Sequence, residues 1–268
     1  MTKQPFHNFV VDHMTFLVEP DLYKTTYALF RIILGVSKED LIYEKRSNWP
    51  GQKPSSMTFA SRIGRENDSK FPNQAIIAVV QPTEPASQSS HVRTMLKNRG
   101  GGCHWQHIAL RTPDLVGFHK FCLERGVNFI TPILRDADDD LIQVFSGEWM
   151  VPGGTPTATF FEFVQREPTP ELLRELEKSS GREAWFKDKT FLGLYDEKEK
   201  EYQRGKATPF ISDELARKIA KRLEGLEVWE ISDELLDAVE ADMLAFAAPL
   251  VNPGRSRRRG SRRGRVPR

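Results

Sequence analysis

The chain has 268 residues, 39% hydrophobic and 28% charged, which suits an ordinary water-soluble globular protein with room for a sizeable core. No apolar run nears the ~18–20 residues that cross a bilayer, and Met1 to Val11 shows no basic start followed by an apolar stretch, so no secretory signal is read. Two cysteines, Cys103 and Cys122, make no disulfide framework, so a reducing cytoplasm is the expected compartment. The net charge of +2 conceals an asymmetry, because eight of the last fourteen residues are arginine and the remainder carries about −6.

In chain order, Val10 to Val18 is a short apolar run of strand length. Asp21 to Gly35 then places Leu22, Thr26, Leu29, Phe30 and Ile33 at helical spacing. Met57 to Ser61 and Ala75 to Val80 predict strands, the second continuously apolar as in the interior of a sheet. Gly64 to Asn73, polar with Gly and Pro, predicts a loop. The Ser-rich stretch before Ser90 leads into a helix over 90–98, and Gly100, Gly101 and Gly102 then break the chain.

The order begins again after the glycines. Trp105 to Arg111 predicts a strand, and Pro113 opens a helix carrying Leu115, Phe118, Phe121 and Cys122, which Gly126 ends. Phe129 and Ile130, Leu141 to Phe145, and Thr157 to Val164 predict three further strands. The recurrence of strand, helix and strands reads as a degenerate duplication of a βαβββ unit, an α+β fold whose halves share pattern and not letters. Helices follow over 170–177, 215–223 and 232–246, the last opened by Ser232 as N-cap. Residues 251–268 have almost no apolar content and are expected to be disordered.

Three side chains stand out against this background. His13 lies in the first strand of the first unit and His107 in the first strand of the second, at equivalent positions. Glu162 lies in the last strand of the second unit with apolar residues on both sides, where a carboxylate is costly unless it is paired or bound to a metal. Two histidines and one carboxylate suit non-haem iron(II), with half of the coordination sphere left open. Taken singly, each residue also fits a hydrogen-bonded or ion-paired core position.

The segments around these residues resemble a known family. Gln106-His107-Ile108-Ala109-Leu110, Leu141-Ile142-Gln143-Val144-Phe145 and Phe160-Phe161-Glu162-Phe163-Val164-Gln165-Arg166 are similar, in order, to segments of the catalytic domain of 4-hydroxyphenylpyruvate dioxygenases, in the vicinal oxygen chelate superfamily. Asp12-His13, Thr83-Glu84-Pro85 and Phe186 to Gly205 extend the resemblance. It implies paired βαβββ modules forming a half-open metal-binding barrel, followed by C-terminal helices. It also implies a division into a two-module domain over 1–205, with modules at about 9–83 and 103–166 and a gate helix at about 186–205. A helical extension over 206–250 and the Arg-rich tail over 251–268 lie beyond it.

The resemblance further implies that His13, His107 and Glu162 bind Fe(2+), and that Gln143 and Gln106 hydrogen-bond the substrate's polar end. Phe145 and Phe191 would sandwich an aryl group. Ser56 would match a substrate-contacting serine across a loop of different length. Thr83 stands where the family has an asparagine in the substrate wall. Lys187-Asp188-Lys189 replaces the family's Gly-Lys-Gly, and the connection between Ile130 and Leu141 is shorter, so the metal site is kept while the substrate is left open. The implied activity is oxidative decarboxylation of a 2-oxo acid, aryl-bearing by family precedent, with dioxygen as co-substrate.

Two alternatives stay open on the residues alone. One is another divalent-metal enzyme on the same barrel, an extradiol-type dioxygenase or a glyoxalase-like isomerase. The other is a non-catalytic small-molecule binding protein. The arginine tail lacks interleaved aromatics for base stacking, so nucleic acid is expected only as a non-specific, salt-sensitive contact. A homo-oligomer is compatible with the composition.

Overall fold

The computed structural model describes residues 4–45, 56–64, 75–83, 87, 90–136, 140–149, 159–180 and 190–251. One eight-stranded sheet organises them, built of two copies of the same motif. The first module is β1 (Val10–Val18), α1 (Pro20–Ile33), β2 (Leu41–Lys45), β3 (Ser56–Ile63) and β4 (Ala75–Pro82). After α2 (His91–Asn98) the second module is β5 (Cys103–Arg111), α3 (Leu115–Leu123), β6 (Leu134–Asp136), β7 (Leu141–Glu148) and β8 (Phe160–Arg166).

The strand order is β2-β3-β4-β1-β5-β8-β7-β6, so the modules meet along the antiparallel pair β1/β5. Within each module the first strand lies parallel to the last (β1 to β4, β5 to β8), and the other pairs are antiparallel. This is the curled α+β half-barrel of paired βαβββ modules that the resemblance implies. Met14 faces Ile108 at the centre of the seam, while His13 faces Ala109 and Thr15 faces His107. Each residue i in this stretch corresponds to residue i+94 across a local pseudo-twofold axis.

Alternation along the strands separates two surfaces. On β7, Ile142 and Val144 point outward to Leu115, Phe118, Cys122 and Leu176 beneath α3 and α4 (Pro170–Ser180), whereas Phe145 points inward. The convex side of module one is closed by α1, with Tyr23 on Phe59 and Val79. One end of the concave side is filled by Leu17, Val80, Met95, Phe145, Phe160 and Leu194, capped by α2 and by α5 (Thr190–Gln203). The glycine run that separates the modules adopts positive φ at all three residues, a conformation other side chains rarely accept.

Helix α5 is fixed by a buried ionic knot. Lys198 Nζ donates to Glu148 Oε1 and to Glu201 Oε2 at 2.8 Å each, and the Tyr202 hydroxyl donates to Glu148 Oε1 at 3.0 Å. Lys198 and Glu148 are both fully buried. Beyond α5 the chain docks on module two, where Glu148 N donates to Thr208 O and Phe210 N to Glu148 O. Gly147 permits that approach, since a Cβ there would lie 2.3 Å from Pro209 O. Two helices follow, α6 (Asp213–Arg222), capped by Ser212, and α7 (Asp233–Val251), tied to α3's end by the Arg125–Glu240 ion pair.

Several predicted elements move. β2 was not predicted. Phe129 forms only an isolated bridge to Ser146, and the strand of that region is Leu134–Asp136. Pro113 precedes the helix it was expected to open, because Asp114 takes the cap position and accepts from Gly117 N. β8 starts at Phe160, with 157 and 158 outside the described residues. So are 65–73 of the predicted loop, 186–189 of the predicted gate helix, and 252–268. Among the described residues no helix is long and apolar enough to cross a membrane.

Candidate metal centre

The three residues singled out in the sequence converge inside the half-barrel. His13 Nε2, His107 Nε2 and Glu162 Oε2 form a triangle with sides of 3.4, 3.4 and 3.1 Å. Donors bound at ~2.1 Å to one ion lie roughly 3.0 Å apart on an octahedral face and roughly 3.4 Å apart in a tetrahedron. No other group of three His, Cys, Asp or Glu donors among the described residues is spaced to hold a metal ion.

Local irregularities aim the two rings. The β1/β5 ladder passes from Val11↔Leu110 to His13↔Ala109, leaving Asp12 unpaired, and from Thr15↔His107 to Phe16↔Trp105, leaving Gln106 unpaired. These are β-bulges, and each places the residue before a histidine on the buried side together with that histidine. Asp12 Oδ1 lies 3.1 Å from His13 Nδ1, and Gln106 Oε1 lies 3.1 Å from His107 Nδ1. Both oxygens are placed to accept from Nδ1, which leaves each Nε2 directed at the centre, where a metal would take the place of any proton on it. Thr15 Oγ1 lies 3.0 Å from His107 Nε2.

Glu162 is the orphan of the arrangement. Its Oε2 is buried and at ion-pair distance from both rings, yet it makes no hydrogen bond of acceptable geometry. A buried carboxylate oxygen left so is costly, and a cation satisfies it. Electrostatics agree with the geometry. Burial raises the Glu162 pKa, but the two histidines outweigh it and hold the value at about 2. Burial disfavours a charged His13, but Glu162 and Asp12 outweigh it and raise the pKa to about 9. Burial lowers His107 below its usual value, with Glu162 opposing. Asp12 is held well below the carboxylate range against its burial by His13 and by Arg166, whose Nη2 and Nε donate to its two oxygens at 2.6 and 2.8 Å.

The pseudo-symmetry explains why there are three ligands. Two residues beyond His107, Ala109 pairs with Glu162, and two residues beyond His13, Thr15 pairs with Ala78. Ala78 is therefore the module-one counterpart of Glu162, and its methyl group supplies no donor. A cavity of about 220 Å³ opens on this side of the triangle, where Ala78 is one wall.

The other expected site residues fall in different places. Gln143 lines the cavity, buried, with its amide nitrogen free of any hydrogen-bond partner. Gln106 also reaches the cavity, but its oxygen serves His107 and its nitrogen donates to Met95 Sδ. Phe145 sits in the packed end of the barrel, edge-on to His107, and does not line the cavity. Thr83 lies just past β4, its hydroxyl enclosed without a hydrogen-bond partner and away from the cavity wall. Ser56 starts β3 opposite Pro82 and Phe191 lies in the first turn of α5; both side chains are outside the described set. Sequence reading missed Asp12, Thr15, Ala78 and Arg166, all at the centre or on the cavity wall. The adjacent pairs Asp12-His13 and Gln106-His107 were the available signal.

No protein-family model matches the chain, and no curated protein does. Among solved structures, the chain is similar to a triple variant of 4-hydroxymandelate synthase from Streptomyces coelicolor, at 15% identity and a TM-score of 0.47, over 72% of this chain and 55% of that one. The chain thus spans about half the length of that synthase. It is similar to a Streptomyces coelicolor methylmalonyl-CoA epimerase variant, at 19% identity and a TM-score of 0.40, over 59% of this chain and 97% of that one. A selenomethionine methylmalonyl-CoA epimerase follows at 15% identity and a TM-score of 0.44, over 60% and 97%. At these values the likeness reaches no further than architecture.

Proposed function

We propose that the chain is a non-haem iron(II) dioxygenase that oxidatively decarboxylates a 2-oxo acid. The observation that supports this most is the ligand count. Two histidines and one carboxylate hold one face, and the symmetry-related fourth position is Ala78, so the cavity side is left to groups from outside. Iron(II) bound there supplies a Lewis acid for an anionic oxygen chelator and the redox chemistry for dioxygen.

The remaining work belongs to the chain. Asp12 and Gln106 hold the rings at fixed tautomers, and Arg166 holds Asp12. Gln143 offers an unused amide N–H to a substrate oxygen. Leu194 of α5 covers the packed end and keeps water from the reacting centre. The test is oxygen uptake by anaerobically iron-loaded protein offered a panel of 2-oxo acids, with His107→Ala as control. Uptake with stoichiometric carbon dioxide release, lost in the variant, is the expected result. Absence of uptake with every acid despite bound iron would sink the reading in favour of a redox-neutral metal enzyme or a binding protein.

A further inference from the structure

The cavity is off-centre, and the register shows why. Ala60 pairs with Ala78 as Phe145 pairs with Glu162, so Ala60 is the counterpart of Phe145. Two residues before Ala78 and Glu162, Ile76 is the counterpart of Phe160. In module two the rings of Phe145 and Phe160 are fully buried and fill their half of the barrel. In module one the same positions hold an alanine and an isoleucine, and the space lies against them.

The chemistry of that half is uniform. Its wall is Ile42, Ala60, Ile76, Ala78 and Val80, with Thr58 as the polar side chain of β3 on it, and among the described side chains no Phe, Tyr or Trp lines the cavity. Apart from the metal-site triad, the charged and amide groups, Gln106, Asp136, Gln143 and Arg166, all belong to module two. An aromatic guest gains from ring-on-ring packing and a phenol needs a partner for its hydroxyl; an alkyl chain needs only apolar area. The volume points the same way. On the scale where roughly 150 Å³ holds benzene, a space of about 220 Å³ holds a ligand of about nine non-hydrogen atoms.

We infer that the substrate carries a short aliphatic side chain, seated on Ala60, Ile76, Ala78 and Val80, with its polar head between Gln143 and the three ligands. This departs from the aryl group that family resemblance implies and rests on the 2-oxo acid reading above for the head group. Ala60 and Ala78 set the depth of the chamber.

The test is calorimetric binding, without oxygen, of 2-oxobutanoate, 2-oxopentanoate, 4-methyl-2-oxopentanoate, phenylpyruvate and 4-hydroxyphenylpyruvate to the full-length iron-loaded protein. Affinity is expected to rise about four-fold for each methylene seated, to peak at the six-carbon acid, and to be at least ten-fold weaker for 4-hydroxyphenylpyruvate. An aryl acid that binds as tightly as the six-carbon acid, or no binding by any of them, overturns the inference. Ala60→Val and Ala78→Val, checked by melting temperature, are expected to weaken 4-methyl-2-oxopentanoate about ten-fold and to weaken 2-oxobutanoate far less. An unaltered chain-length profile in both folded variants also overturns it. Oxygen uptake separates the two readings: alkyl preference without uptake keeps the chamber and removes the dioxygenase, whereas uptake with aryl preference does the reverse.

Discussion

Replacing Asp12 by Asn isolates the contribution of one bulge to metal binding. The carboxylate serves two partners at once, accepting from His13 Nδ1 at 3.1 Å and from Arg166 at 2.6 and 2.8 Å. The amide keeps one acceptor and turns an NH2 group toward one of two donors. Either Arg166 loses half of its bidentate contact or the His13 ring loses its anchor and the tautomer that points Nε2 inward. Groups that orient metal-bound imidazoles typically contribute 10–100-fold to affinity, about 1.4–2.7 kcal/mol. Asp12→Asn is expected near the upper end, because both partners contend for one oxygen. Gln106→Leu is expected near the lower end, because only a neutral amide is lost. Competition against a chromophoric chelator, with cobalt(II) or anaerobic iron(II), measures both. Gln143→Leu, which lies in the cavity but orients neither ring, is the control. An Asp12→Asn affinity within two-fold of wild type, or an equal loss in the control, would refute the reasoning.

Metal itself should stabilise the fold: at one hundred times Kd a divalent ion adds about 2.7 kcal/mol, expected as a melting temperature several degrees above that of the EDTA-treated protein. In metal-free protein the His13 pKa is raised from 6.5 to about 9, so its stabilising contribution is complete below 6.5 and is lost as pH rises to about 9. Urea midpoints of EDTA-treated wild type should fall over that interval more steeply than those of Glu162→Gln, and parallel curves would count against the pairing. Lys198→Ala leaves Glu148 buried without its cation and should cost about 3–5 kcal/mol, with Lys198→Met less damaging; thermal unfolding of the two variants gives the comparison. Cys103 is exposed while Cys122 is buried with its thiol pushed up to about 12. A thiol reagent should therefore label one cysteine per native chain and two in denaturant.

The convergence of His13, His107 and Glu162 was legible because duplication put two histidines at equivalent points of two like patterns, and because Glu162 stood in an otherwise apolar strand. The helix over 90–98 was legible from the Ser-rich stretch that leads into it, and the structure shows Ser90 as its cap, accepting from Arg93 N. The bulges were not, since a bulge is a property of two strands in register and Asp12-His13 carries no local sign of a skipped pair. β2 escaped notice because Leu-Ile-Tyr-Glu-Lys is short and lies at the sheet's edge. Phe129 and Ile130 have strand-forming side chains, but a single bridge satisfies them. Lys198 sits in a run of alternating acids and bases that reads as a solvated face, and only the fold shows that it is sealed against Glu148. The cavity's position was hidden for a similar reason. Ala60 and Ala78 are unremarkable in sequence and acquire meaning only when register sets them opposite Phe145 and Glu162.

The triangle of ligands lies across the seam, with His13 on one module and His107 and Glu162 on the other. An ion held there would act as a rivet between two halves already joined by the β1/β5 pair, by shared packing at one end of the barrel and by the Asp12–Arg166 ion pair. Neither half owns the complete set, so loss of structure in either empties the site at once. Under the proposed metal binding, occupancy would report on the integrity of the whole barrel, and withholding the metal would loosen the joint.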